Sequence, residues 1–285
     1  MRRASVTVMF SGGTDSTLTS ALMQEQFDTV HLVTFHRFGF HRTENTQVNA
    51  RMLQARFGRD RYRHTVIPID RLFRFVSYER YLHHLLRHGF FVLATCGLCK
   101  LAMHVRTVKY CLEHGIRHAC DGANQGMTMF PDQMLPVILE TRKMYAQFGI
   151  EYFNPVFDLQ PPEDGSFIKA ANRQFIERFM QTPGQPEAAG PQDSPGHRLH
   201  RMGLAPTPNV KGTPYDRLRQ PRCFQLILFN IFAIRYYLAA HTYDEYRDRT
   251  VVFFRDKIAR MTDLLAQHVA SGRYARLFEP ARDLP

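Results

Sequence analysis

The chain has 285 residues and a formal net charge of +11, with five cysteines and 44% hydrophobic residues. This length allows one large domain or two smaller ones, and the apolar fraction is ordinary for a globular protein. Apolar runs at 226–234 and 251–254 are too short to span a bilayer, the Met-Arg-Arg start is no signal peptide, and an odd cysteine count argues against a disulfide framework. A cytoplasmic protein with no membrane partner is expected, its cysteines candidates for metal, cluster or catalytic roles.

Residues 5–10 read as a strand, followed by Ser11-Gly12-Gly13-Thr14-Asp15-Ser16 and a helix over 16–26. Strand, glycine turn and helix in that order surround an anion with backbone N–H groups and a helix N-terminus. Gly12 and Gly13 permit backbone angles and close approaches that a side chain would block. Asp15, being anionic, calls for a metal ion or water between it and a phosphate. The alternative is a serine/glycine turn that binds nothing. Strands follow at 29–35, 64–69, 116–120 and 151–157, and helices at 44–57, 71–92, 100–114 and 132–148. Their alternation predicts an α/β fold, a parallel sheet with helices on both faces, and a ligand site outside the carboxyl ends of the strands.

The basic excess is concentrated in 51–117, with thirteen Arg and Lys against four Asp and Glu. Aromatic residues are interleaved, among them Tyr62, Phe73, Tyr78, Phe90 and Phe91. This is either a nucleic-acid footprint or an arginine-rich surface over a phenylalanine core. The expected organisation is a nucleotide-binding domain over 1–160 with a basic insertion at 71–92, a helix and then a flexible linker over 161–214, and a helical region over 215–285 that carries Cys223. The Pro/Gly-rich part, 181–214, is too poor in large apolar residues to order itself. Helices are expected over 221–239 and 243–270.

Ser11–Ser16 matches the SGGxDS signature of the PP-loop ATP pyrophosphatases, and the chain resembles that family. The stretch Cys96-Gly-Leu-Cys99-Lys100-Leu-Ala-Met103, running on to Asp121-Gly122, looks like the PP-loop domain of tRNA 4-thiouridine synthetases. Neither an RNA-capture domain ahead of Met1 nor a rhodanese domain at the C-terminus is expected. The resemblance implies ATP and Mg²⁺ at 11–16, adenylation of a carbonyl oxygen, release of pyrophosphate, and displacement of AMP by a nucleophile. It places the adenine near Phe35 and His36. Asp121, beside Gly122 at the same sheet edge, is a candidate Mg²⁺ ligand with Asp15, or else a turn residue. Lys100 is a candidate to neutralise phosphate charge, or a solvated residue.

Cys96, Cys99 and the distant Cys223 are similar to the set that holds a 4Fe-4S cluster in iron–sulfur tRNA thiolases, with one iron left open. Two other readings stand: structural Zn²⁺ held with a histidine, and a catalytic Cys99/Cys223 pair that carries and releases a persulfide. Cys111 and Cys120 read as buried small residues. Asn124, Gln125 and Gln133 are candidates to contact the acceptor. Lys169, Arg173, Arg217, Arg219 and Arg222 are contacts to phosphate or RNA, or solvated charges. The expected function is an ATP-dependent sulfurtransferase. Its acceptor is tRNA or a small nucleobase, its sulfur donor is sulfide or a cysteine desulfurase, and a homodimer is allowed. The rival is an ammonia-using synthetase of the 7-cyano-7-deazaguanine synthase type.

Overall fold

The computed structural model describes residues 3–159, 194–208, 210 and 213–283. Strands β1 (Arg3–Met9), β2 (Phe27–His36), β4 (Tyr62–Pro68), β5 (His118–Asp121) and β6 (Glu151–Phe153) are parallel, and β8 (Arg282–Asp283) pairs antiparallel with β4. The order is β6-β5-β1-β2-β4-β8. A separate ribbon pairs β3 (Phe40–His41) with β7 (Arg222–Cys223), setting Phe40 opposite Cys223 and His41 opposite Arg222.

Side chains alternate across the sheet, as the strand period of two requires. Val6, Val8, Val30 and Leu32 enter one buried cluster, with residues of α1 (Thr14–Gln26) and α2 (Thr46–Phe57). Met9, Val33 and Phe35 enter the other, with residues of α3 (Asp70–Tyr78), α5 (Thr95–His114) and α6 (Leu135–Ala146). The expected α/β class, with helices on both faces, is what the structure has.

Three elements differ from expectation. The helix expected over 71–92 is broken into α3 and α4 (Tyr81–His88), with Arg80 left-handed at φ 53°. No glycine or proline marks this break. The buried Lys257 ammonium donates to the carbonyl of Val76 at 2.8 Å and the Glu79 carboxylate accepts from Arg260 at 2.8 Å, so a distant helix caps the end of α3. The expected helix over 221–239 begins instead as strand β7, then α9 (Gln225–Asn230) and a π-helical turn, Ile231–Tyr237.

Of the expected linker, 181–193, 209, 211 and 212 lie outside the described residues. Residues Pro195–Arg201 form helix α7, capped by the Ser194 hydroxyl, and Leu199, Leu204, Ala205 and Val210 are buried against the α1 face. These few apolar residues need not build a core, because they join one already present. Likewise the long C-terminal helix α10 (Tyr243–Ser271) opens with a capping box, Thr242 with Glu245. It buries Phe253 and Phe254 in the same cluster as Phe91, Leu98 and Phe130. Among the described residues no single helix is long and apolar enough to cross a membrane.

Candidate active site

The strand order reverses between β1 and β5, since β2 and β4 lie on one side of β1 and β5 and β6 on the other. Crevices at such reversals are where α/β sheets bind ligands. The Ser11–Ser16 loop leaves β1 there, and Gly122 leaves β5 beside it. A Cβ on Gly122 would lie 2.7 Å from the Ser16 nitrogen, so the two loops touch through their backbones.

Within the loop, the Ser16 hydroxyl donates to the Gly13 carbonyl at 3.1 Å and lies 3.1 Å from the Ser11 hydroxyl. The Gly13 N–H donates to the Ser11 oxygen at 3.3 Å. Gly12 is left-handed at φ 72°, and a Cβ on it would collide with the Arg219 carbonyl oxygen. The N-terminus of α1 carries no side-chain cap, which leaves its N–H dipoles for an anion. A cavity of about 360 Å³ opens in front of it, within the size range of small-molecule sites.

Loop residues Ser11, Gly13, Thr14, Asp15 and Ser16 line that cavity, as do Phe35, Lys100 and Gly122. His36 ends β2 with an exposed ring that shares a hydrogen bond with the Thr43 hydroxyl at 2.9 Å, and it is not a lining residue. Asp121 is fully buried. Its carboxylate pairs with the Lys100 ammonium at 2.7 Å and accepts from the Ala123 N–H at 3.0 Å and the Asn154 amide at 2.7 Å. Burial by itself would raise this carboxyl, but Lys100, His104 and these donors outweigh it and hold it at about 2. Asp121 thus anchors Lys100 at the cavity wall. Asp132 shows the opposite balance. Burial and the Asp121 charge push it to about 6 against the pull of Lys100.

The three candidate cysteines gather around a residue that sequence reading missed. Arg37, 1% exposed, follows β2 with its guanidinium 4.4 Å from both the Phe40 and the Phe73 ring centres. Nε donates to Cys99 Sγ at 3.0 Å and Nη2 to Cys223 Sγ at 3.4 Å. Nη2 also donates to Gln225 Oε1 at 2.6 Å, and Nη1 to the Phe38 carbonyl at 2.7 Å. Two sulfurs therefore occupy the fork edge that elsewhere takes two carboxylate oxygens. Cys96 Sγ contacts the Gln225 carbonyl at 3.9 Å. Burial pushes the Cys96 thiol well up, and pushes Cys99 to about 11 against the pull of Arg37. Of the three, Cys223 lines the cavity.

Among the described residues, no three His, Cys, Asp or Glu side chains are placed to share one metal ion. The sulfurs of Cys96, Cys99 and Cys223, the set that would hold the expected cluster or zinc, converge on Arg37 and Gln225.

Segment 213–221 was also unforeseen. Arg219 stacks on Tyr215 at 3.4 Å and donates to Asn49 Oδ1 at 3.0 Å, while the Asn49 amide donates to the Gly12 carbonyl at 2.7 Å. Arg219 is thus a brace of the loop rather than a solvated charge. Asp216 and Gln220 line the cavity, joined by a 2.8 Å hydrogen bond. Asn124, expected to meet an acceptor, lines the cavity while its amide donates to the carbonyls of Val156 and Leu159, at 3.3 and 3.0 Å. Lys169 and Arg173 lie outside the described residues. In the basic 51–117 stretch, Tyr62, Phe73 and Phe91 are core, whereas Tyr78 and Phe90 are exposed. Cys111 and Cys120 are fully buried, as expected. A signal for Arg37 existed only as a charge directly after an apolar strand, which is also the commonest setting for a solvated arginine.

No family model and no curated protein matches the chain. Solved structures that match include a predicted subunit of a tRNA methyltransferase from Methanocaldococcus jannaschii, at 16% identity and a TM-score of 0.37 over 78% of this chain and 96% of that one. A 4-thiouridine synthetase–RNA complex with bound ATP matches at 12% identity and a TM-score of 0.47, over 99% of this chain and 55% of that one. The U34-tRNA thiolase NcsA from Methanococcus maripaludis, with its 4Fe-4S cluster, matches at 12% identity and a TM-score of 0.28, over 94% and 73%.

Proposed function

We propose that the protein is an ATP-dependent sulfurtransferase that adenylates a carbonyl oxygen of an RNA nucleobase and replaces it with sulfur. One observation carries the reading: a single cavity joins the Ser11–Ser16 loop and the uncapped start of α1 to Cys223. ATP supplies the leaving group. The loop hydroxyls and α1 N–H groups hold its phosphates, and Asp15 is the residue to hold Mg²⁺ on them. Lys100, fixed by Asp121, stabilises charge developing on the phosphoryl oxygens. Cys223 delivers sulfur from the other wall, so the rate gain comes mainly from positioning.

An RNA acceptor is favoured by the outer face of the β3–β7 ribbon. Phe40 and Cys223 line the cavity, so the opposite register pair, His41 and Arg222, faces out and is exposed. Phe38 and Phe224 stand beside them at 84% and 63% exposure, too open for core residues. Arg42 and Arg217 are also exposed, and Glu44 is the one acidic residue within 37–44 and 217–225. Aromatic faces among arginines suit unstacked bases on a phosphate backbone.

The test is to incubate the protein with ATP, Mg²⁺, a persulfide donor and unmodified bulk tRNA, then to measure AMP, pyrophosphate and thiolated nucleosides. RNA-dependent AMP formation together with a thionucleoside is expected. Turnover with ammonia in place of the persulfide would overturn the reading in favour of an amide-forming synthetase. Gly12→Ala should weaken ATP binding about tenfold or more by calorimetry. A side chain at positive φ costs about 1–2 kcal/mol, and the Arg219 carbonyl must also move. Unchanged affinity would count against the loop as the nucleotide site. Phe224→Ser should weaken RNA binding by about tenfold, given stacking worth about 1–3 kcal/mol per base, and leave ATP binding unchanged.

A further inference from the structure

We propose that residues 216–223 form a strap that couples nucleotide on the Ser11–Ser16 loop to the position of Cys223, with Pro221 as the stiff link, so that phosphate binding turns the half-buried sulfur into the cavity. The proposal rests on the sulfurtransferase reading and assigns the means by which its sulfur is offered once nucleotide is in place.

Close packing on the loop is the first ground. A Cβ on Gly12 would collide with the Arg219 carbonyl oxygen, and one on Gly13 would lie 2.9 Å from Gln220 Oε1. Asn49 ties the two segments together, donating to the Gly12 carbonyl at 2.7 Å and accepting from Arg219 Nε at 3.0 Å. The Asn45 amide donates to the carbonyls of Arg217 at 3.3 Å and Gln220 at 3.5 Å. Neither glycine has a side chain to take up slack, so a shift of the loop backbone is passed to the strap.

Charge is the second. Gln220 and Asp216 line the cavity with Gly13, Thr14 and Asp15. The Gln220 amide donates to the Asp216 carboxylate at 2.8 Å, which leaves Gln220 Oε1 as the group turned toward Gly13. Phosphate oxygens on the α1 N–H groups are acceptors too. They repel Oε1 and favour an amide turned so that its N–H meets the phosphate and leaves Asp216. Phosphate binding therefore rebuilds the contact between Gln220 and Asp216.

The third is the shortness of the path to the sulfur. Cys223 lies three residues beyond Gln220. Pro221 fixes its own φ and disfavours helical angles at Gln220. Arg222 and Cys223 are already paired as β7 with β3. A displacement at Gln220 meets no flexible residue before it reaches Cys223, which stands half-buried at the cavity wall.

The chain contains no tryptophan, so Phe224→Trp supplies a lone fluorescent reporter one residue past Cys223. Phe224 is exposed, does not line the cavity, and has its ring 4.8 Å from that of His41. Nucleotide in the cavity thus reaches it through the strap. Full-length Phe224→Trp protein is titrated with Mg²⁺ and α,β-methylene-ATP, an analogue that cannot release pyrophosphate. Tryptophan emission should shift with the midpoint that calorimetry gives for binding. Adding Pro221→Gly should keep the binding and lose the shift. With Phe224 retained, the rate of Cys223 labelling by iodoacetamide, read by peptide mass, should rise about fivefold or more on adding the analogue and less than about twofold in Pro221→Gly, fivefold being the low end of coupling between sites. Occlusion of the cavity, or the negative charge of the analogue, would slow labelling instead. Circular dichroism checks that Pro221→Gly folds, and Pro221→Ala carries the comparison if it does not. Binding with no emission shift, a shift that survives at residue 221, or labelling that slows equally in both proteins would overturn the strap and leave the nucleotide site standing. No binding by calorimetry would overturn the loop as the nucleotide site, and the sulfurtransferase reading with it.

Discussion

Cys223→Ser is expected to abolish sulfur insertion while pyrophosphate release continues. In the proposed reaction adenylation draws on the Ser11–Ser16 loop and Lys100, and sulfur delivery draws on Cys223, all of which line one cavity. A serine keeps the ribbon pairing of residue 223 with Phe40, which runs through the backbone. Its hydroxyl carries no sulfur and is a poor nucleophile without a general base beside it. Measured on one RNA preparation, thionucleoside should fall to background. Pyrophosphate released in a single turnover should stay within about threefold of wild type, since a uniform loss would mean lost binding rather than a lost step. Cys99→Ser should differ. Transfer to the carbon proceeds and release fails, so an RNA–protein disulfide should accumulate that a reductant dissolves. Equal loss of pyrophosphate and thionucleoside in Cys223→Ser would place Cys223 in nucleotide binding and sink the division of labour.

Lys100→Met carries the second large effect, on stability and on its pH dependence. The variant leaves Asp121 buried with its hydrogen bonds but without its cation, and breaking a buried pair in this way costs about 3–5 kcal/mol. The folded-state value of Asp121 is held down at about 2. Its stabilising contribution is therefore present above the ordinary carboxylate value of about 4 and is lost as pH falls through about 2. Denaturant melts of wild type and variant should differ most near neutrality and converge on acidification, because the protonated Asp121 no longer needs Lys100. Asp132 runs the other way. Raised to about 6, it contributes stability at low pH that is lost as pH rises through that value. Asp132→Asn should therefore flatten the decline between about pH 4 and about pH 6. A gap between wild type and Lys100→Met that is constant from neutral to acid would show that the pair is not what Lys100 contributes. The double variant Lys100→Met/Asp121→Asn should regain part of the loss, since both charges are then gone.

The resting state of the sulfur centre bears on both results. With Cys99 pushed to about 11, the site holds a thiol beside a permanent cation.

Much of this was legible in the chain itself. Hydrophobic alternation in Val6–Met9 and Val30–Phe35, and helical spacing between such runs, specify strands and helices through local geometry. Five parallel strands and the loop at the end of β1 follow from that pattern. The Ser-Gly-Gly-Thr-Asp-Ser string and the C-x-x-C spacing are likewise local: neighbouring backbone angles put the loop ahead of α1, and one helical turn puts Cys96 and Cys99 together.

What tertiary structure decided is everything that depends on residues far apart in sequence. The break at Arg80 is made by Lys257 and Arg260 from another helix. Residues 222–223 became a strand rather than the start of a helix because β3 offered an edge to pair with. Residues 195–208 and Val210 take their places by burying four side chains in a core supplied by others. Asp121, read as a Mg²⁺ ligand or a turn residue, is held against Lys100, because burial makes an unpaired carboxylate costly and a nearby cation satisfies it. Arg37, which no local pattern marks, meets Cys99 and Cys223 across 62 and 186 residues of chain. Propensity and periodicity act over a few residues. Desolvation and charge pairing act on whatever the fold brings into contact, so the loop could be read from the sequence and the cation beside the sulfurs could not.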